Sequence, residues 1–174
     1  MTTFEIKAHK EIDVSFQGIN LTEFSFKVDN KVDSDEIVDT FIRSNHYSFD
    51  SLSNCRKKEP EKPYLKQAFN VDYLKIADFK KSSKEEISQF LIDYLNEANW
   101  GDDRNEFAML LDKYFEIHSQ FSLENDFYII SKDWFAQEDE RVIEPESYCY
   151  TYYFLIISVD RKLNLLTFTE WTYD

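Results

Sequence analysis

The chain has 174 residues, 43% of them hydrophobic and 17% aromatic, and its 34 Asp plus Glu against 20 Lys plus Arg leave a net charge of −14. The aromatic load argues against disorder, the length suits one globular domain spanning 1–174, and the acidic balance argues against general nucleic-acid binding, which needs a basic footprint. Gly18 and Gly101 are the only glycines, which excludes a phosphate-cradling Gly-rich loop and a dinucleotide fingerprint.

Residues 3–28 read as three short strands. Phe4 and Ile6 alternate with polar residues, as do Ile12, Val14 and Phe16, and Gln17-Gly18-Ile19-Asn20 supplies turn chemistry before Leu21, Phe24, Phe26 and Val28. A helix start follows. Asp33 with Glu36 three residues on is an Asp version of the capping box, and Val32 and Ile37 are placed to close a hydrophobic staple. Ile37, Val38, Phe41 and Ile42 form its apolar stripe, with an end expected near 43–45.

From His46 to Pro63 the periodicity is lost and a long loop is expected. Residues 54–84 hold nine basic residues against four acidic ones, so the negative charge is unevenly spread. This stretch is a solvated loop, or a local basic patch able to pair with an acidic part of the same chain. Residues 64–79 read as a short helix around Tyr64, Leu65, Ala68 and Phe69, then a strand from Val71 to Phe79.

Two helices come next. Ser83 to Glu86 is a capping box, after which Ile87, Phe90, Leu91, Tyr94, Leu95 and Ala98 share one face. Gly101 is a stop signal, Asp102 or Asp103 caps the next helix, and Phe107, Leu110, Leu111, Tyr114, His118 and Phe121 line its apolar side. The short connection makes the two an antiparallel or steeply crossed pair. Residues 126–132 form a strand, followed by an acidic loop from Gln137 to Glu146.

The stretch from Ser147 to Asp174 organises the rest. Two β-branched and aromatic runs flank Asp160 to Asn164, the pattern of a long antiparallel hairpin. Tyr148, Tyr150, Tyr152, Phe154 and Ile156 fall on one face of its first strand, and Tyr153, Leu155, Ile157 and Val159 on the other, so that strand is central. With no Gly in the turn, a longer loop built on a type I turn fits, with Asp160 first and Asn164 left-handed. The element order argues an α+β domain: an antiparallel sheet made of the N-terminal meander and the C-terminal hairpin, with about three helices packed on one face.

Chemistry-bearing motifs are absent. His9, His46 and His118 stand in no metal-ligand spacing, and no Gly-x-Ser-x-Gly elbow occurs. His118 reads as a core histidine near a helix C-terminus. Cys55 and Cys149 read as free thiols of a reducing compartment, and the N-terminus has no apolar signal core, so the cytoplasm is expected. No catalytic residue, metal ligand or cofactor is assigned.

One cluster stands out. Residues 99–147 hold thirteen acidic residues against four basic ones, interleaved with Trp100, Trp134 and Phe135. Aromatics supply buried anchor area, and carboxylates steer and pair with Arg or Lys, which is what an interface for a basic protein needs. The expected partner-binding residues are Trp100, Asp102, Asp103, Glu106, Trp134, Phe135, Glu138, Asp139, Glu140 and Glu144. Trp171 joins them at the far end of the hairpin, on a face with Thr167, Thr169 and Tyr173. The plainer account is that the aromatics are core and the acids solvated. The expected function is a cytoplasmic immunity or inhibitor protein that neutralises a basic toxin, such as a nuclease, with no direct nucleic-acid or membrane contact. The alternatives are a nucleic-acid mimic of phage or plasmid origin, with carboxylates at phosphate-like intervals, and an enzyme using scattered residues such as His118.

Overall fold

A computed structural model describes residues 2–28, 31–47, 69–97, 103–135 and 150–173. In chain order these give β1 (Thr3–Val14), β2 (Gln17–Lys27), α1 (Ser34–Ile42), β3 (Lys80–Ser82), α2 (Lys84–Glu97), α3 (Arg104–His118), β4 (Asp126–Ser131), β5 (Tyr152–Asp160) and β6 (Leu165–Tyr173). The strands make one six-stranded antiparallel sheet in the order β1-β2-β6-β5-β4-β3, an α+β fold. The β5–β6 hairpin sits at its centre, as the two apolar faces of β5 require. Its turn also follows the sequence: Asp160 Oδ1 accepts from the backbone of Lys162 and Leu163, both at 2.9 Å, and Asn164 takes φ 54.

The period-two pattern of β5 builds two cores. Tyr153, Leu155, Ile157 and Val159 face one side, where they meet Phe24, Leu166, Phe168 and the α1 stripe of Ile37, Val38, Phe41 and Ile42. Tyr152, Phe154 and Ile156 face the other, against Ile19, Trp171, Ile87 and Leu91 of α2, and Phe107, Leu110 and Tyr114 of α3. The expectation of helices on one face holds for α2 and α3, and α1 lies on the opposite side. Covering both faces is what keeps a central strand apolar in both registers. Tyr150, placed by alternation with Tyr152, instead packs on Tyr153 at 5.2 Å in the α1-side core, because β5 begins only at Tyr152.

Two helix starts form as their sequences dictate, while Asp103 stands at the N-cap of α3 with no side-chain capping bond, its carboxylate accepting from the Tyr173 hydroxyl. Asp33 caps α1 by accepting from Glu36 N at 2.9 Å. Ser83 and Glu86 close the reciprocal box of α2, Glu86 N donating to Ser83 Oγ at 3.2 Å and Ser83 N to the Glu86 carboxylate at 2.7 Å.

Two readings are corrected. The N-terminal region is two long strands rather than three short ones. The chain turns at Ser15 and Phe16, with Ser15 at φ 54, while Gln17 to Asn20 are buried inside β2. Gln17 is held there by side-chain bonds, accepting from Tyr152 OH at 3.0 Å and donating to the Asp103 carbonyl at 3.1 Å. The strand expected over Val71 to Phe79 is a run of turns ending in a 3-10 helix at Ile76–Asp78, and β3 covers only three residues after it. Asn70 is the cause: its side chain accepts from Asp72 N at 2.9 Å and its carbonyl from Leu74 N at 2.9 Å, which gives the backbone a local alternative to a ladder. Residues 48–63 of the expected 46–63 loop, most of the 64–69 helix, residues 54–68 of the basic stretch, Cys55, Cys149 and the 137–146 loop lie outside the described residues. No helix among the described residues is long and apolar enough to cross a membrane.

Candidate partner-binding surface

The face built by α2 and α3 carries most of the described candidates. The two helices are locked end to end by a reciprocal polar latch. Lys84 Nζ donates to the carbonyls of Ser119 at 3.0 Å and Phe121 at 2.5 Å, just past the end of α3. In return His118 Nε2 donates to the Lys84 carbonyl at 3.0 Å. That bond fixes the tautomer and leaves Nδ1 buried without a partner, amid the rings of Tyr114, Phe121 and Phe127. Burial lowers the imidazole pKa, overriding the upward pull of the Lys84 hydrogen bond. At 3% exposure His118 cannot meet a substrate, so it serves the fold as a core residue.

Outward from this core, the two helices carry seven carboxylates (Glu85, Glu86, Asp93, Glu97, Glu106, Asp112 and Glu116) against Lys84, Arg104 and Lys113. The flank of α2 is hollowed into a groove of about 550 Å³ lined by Glu86, Gln89, Phe90, Asp93, Tyr94 and Glu97, with Lys80 of β3 at its wall. The helical period explains the set, since 86, 89, 90, 93, 94 and 97 recur at three- and four-residue steps along one stripe. Phe90 and Tyr94 stack at 6.0 Å with 21° between planes, and Trp134 meets Phe90 edge-on at 6.3 Å. Asp93 accepts from Gln89 Nε2 at 2.7 Å, which orients its carboxylate. Burial, and after it the charge of Asp133, push the Tyr94 phenol well above its usual range, which places a further carboxylate near the same wall.

The adjacent aromatics Trp134 and Phe135 part company. The 3-10 turn Lys132–Trp134 leaves Trp134 45% exposed on the α2 side. Phe135 turns to the other face, half-buried against Phe69 at 6.1 Å. The two therefore do not form one patch.

Asp103 and Glu106 come together at the start of α3, beside the β1–β2 turn. Ser15 Oγ donates to Glu106 at 2.6 Å, and the Tyr173 hydroxyl bonds the Asp103 carboxylate. Phe16, at the tip of that turn, is 73% exposed next to them. It was not among the expected residues. Its alternation with Ile12 and Val14 reads as core, and only the position of the turn reveals it as surface.

Trp171 is corrected outright. It is fully buried, stacked on Phe154 at 5.4 Å and 27° and touching Phe107 and Tyr114, so no partner can reach it. Thr167 and Thr169 are buried as well. The cause is β2, which pairs along the whole of β6 and turns the far end of the hairpin into interior. Trp100, Asp102, Glu138, Asp139, Glu140 and Glu144 lie outside the described residues.

On the opposite side, a polar constellation clamps α1 to the sheet. Lys81 Nζ reaches Asp35 at 2.8 Å and Asp126 at 3.6 Å, Tyr128 OH donates to Asp35 at 2.6 Å, and Ser34 Oγ donates to Asp126 at 2.5 Å. The Lys81 and Tyr128 hydrogen bonds hold the Asp35 carboxyl below its usual range, and the Asp35 bond holds the Lys81 ammonium above its own. Each member satisfies another, so the group joins α1 to β3 and β4. No cluster of three or more His, Cys, Asp or Glu suited to a metal ion occurs among the described residues.

No family model and no curated protein matches the chain. Among solved structures, one crystal form of citrus MAF1 aligns at 14% identity and TM-score 0.42, covering 92% of each chain. A second crystal form aligns at 16% identity and TM-score 0.40, covering 93% of this chain and 90% of that one.

Proposed function

We propose that the protein is an acidic binding protein, of the immunity or inhibitor type, that neutralises a basic protein such as a toxin domain or nuclease by covering its functional surface. The observation that carries this reading is the α2 groove, where the aromatic wall of Phe90, Tyr94 and Trp134 is set among Glu86, Asp93 and Glu97. Aromatic area that stays accessible beside carboxylates is the combination that anchors and steers a cationic partner. The second acid–aromatic juxtaposition, Phe16 beside Glu106 and Asp103, extends the same chemistry to the start of α3. Exposed charge attracts over about a Debye length, so association is fast and salt-sensitive.

The test is a binding titration against basic proteins recovered with the tagged chain from its native host at low salt. A basic partner whose affinity falls by about ten-fold or more between about 50 and about 300 mM salt, and whose activity the chain suppresses, supports the reading. Recovery of no such partner, or of one indifferent to salt, overturns it.

A further inference from the structure

The α2 groove is lined by three carboxylates, Glu86, Asp93 and Glu97, and among its described lining residues Lys80 is the one cation. Glu86 accepts from the Ser83 backbone N–H at the helix start, whereas Asp93 and Glu97 stand one helical turn apart further along α2. Beside them Phe90 and Tyr94 present nearly parallel ring planes, and Trp134 stands almost perpendicular to Phe90 at 82°. A cation entering here is drawn to the carboxylates that outnumber Lys80. A flat cation gains more than a round one, because it can lie on a ring face while its edge meets a carboxylate. Asp93 already has one oxygen satisfied by Gln89, which holds the carboxylate in place without neutralising it.

We propose that this groove is an arginine-binding site: the guanidinium of an arginine displayed by a basic partner protein lies on the Phe90–Tyr94 wall and donates to Asp93 and Glu97, with Trp134 flanking it. This rests on the reading of the chain as a binder of basic proteins and names the side chain that anchors the contact. Guanidinium is favoured over ammonium because its planar fork both stacks and pairs, whereas an ammonium is a compact, strongly hydrated point charge. A neutral planar isostere meets the rings and loses the carboxylates.

The experiment uses the full chain and three small probes: N-acetyl-arginine amide, its lysine counterpart and its neutral citrulline counterpart. The readout is the indole N–H resonance of Trp134, assigned through Trp134→Phe. Arginine is expected to move that resonance saturably, with a dissociation constant on the order of millimolar. Citrulline is expected to leave it in place, and lysine to bind roughly three-fold or more weakly. Asp93→Asn with Glu97→Gln is expected to weaken arginine about five-fold, with an unchanged circular dichroism spectrum. Citrulline or lysine matching arginine, or the double variant binding as the parent does, overturns the site. A salt-sensitive basic partner that binds the double variant undiminished also overturns it, while leaving the broader function standing. Arginine binding without any basic partner keeps the site and removes the broader function.

Discussion

The two faces of the sheet are covered in different ways. On one side, among the described residues, a nine-residue helix, α1, and the 69–79 segment add polar clamps to the rings of Phe4, Phe24, Phe41, Tyr47 and Phe168. Lys81 bridges Asp35 and Asp126, and Arg43 donates to the carbonyls of Val71 at 2.5 Å and Leu74 at 2.6 Å. On the other side, helices of 14 and 15 residues are fastened mainly by rings, with Phe107, Tyr114, Tyr152, Phe154 and Trp171 in mutual contact. A helix as short as α1 is not stable alone and depends on tertiary ties. The longer pair spends its inner stripe on packing and keeps an outer flank accessible. The first arrangement closes a core, and the second closes a core while presenting a groove.

The comparison breaks most visibly at its aromatic centres. Trp171→Ala and Phe41→Ala, one in each core, are each expected to cost about 3–5 kcal/mol. Urea denaturation followed by far-UV and near-UV dichroism checks this. A single coincident transition in both variants means that β5 couples the cores, whereas two separated transitions would show them to be independent. Next in size, Arg43→Ala is expected to cost about 1–2 kcal/mol by releasing two carbonyls of the 69–79 segment. Hydrogen exchange should then rise in that segment and stay unchanged in α2 and α3. Equal acceleration on both faces would erase the distinction between clamps and rings.

The third effect depends on pH. His118 has a folded-state pKa below that of the unfolded chain, chiefly through burial. As pH falls through the unfolded value near 6.5, the unfolded state takes up a proton that the native state refuses, so stability declines with acidification from about pH 6.5 downward. His118→Gln, which can still donate to the Lys84 carbonyl, is expected to flatten that slope. A variant as acid-sensitive as the parent over that window would remove His118 as the cause. The smallest effect belongs to the groove. Asp93→Asn with Glu97→Gln is expected to change stability by no more than about 0.5 kcal/mol, because exposed charges contribute little to folding. A larger loss by thermal denaturation would make these residues part of the structure and not of a binding surface.

The local signals in the chain proved legible where a short-range rule governs. Asp33 with Glu36 and Ser83 with Glu86 announce two helix starts by side chains that cap the backbone three residues on. The β5–β6 turn is legible from Asp160 and Asn164 for the same reason. What stayed hidden is set by long-range partners. Gln17-Gly18-Ile19-Asn20 has turn composition, yet β1 and β6 enclose it on both sides. Trp171 looks accessible at the end of the chain until β2 is laid along β6. In the site, the split between Trp134 and Phe135 follows from a 3-10 turn that periodicity does not reveal. The stripe of Glu86, Asp93 and Glu97 could have been found, since it flanks Phe90 and Tyr94 at helical spacing on a helix whose start was already marked.

The outermost strands limit how this molecule can be met. Among the described residues β1 pairs with one neighbour, and it is 12 residues long, a length that ordinarily invites another chain to add a strand. Its register breaks between Ile6 and Ala8, and Glu5, Lys7, Lys10, Glu11 and Asp13 stud it with charge of both signs. The opposite border, β3, is three residues long and begins with two lysines. One border is kinked and charged and the other is cut short, so neither offers a straight template of free amides and carbonyls. On the proposed reading, recognition falls to side chains on the helical face, and the described sheet borders offer no ready template for zippering onto copies of the chain.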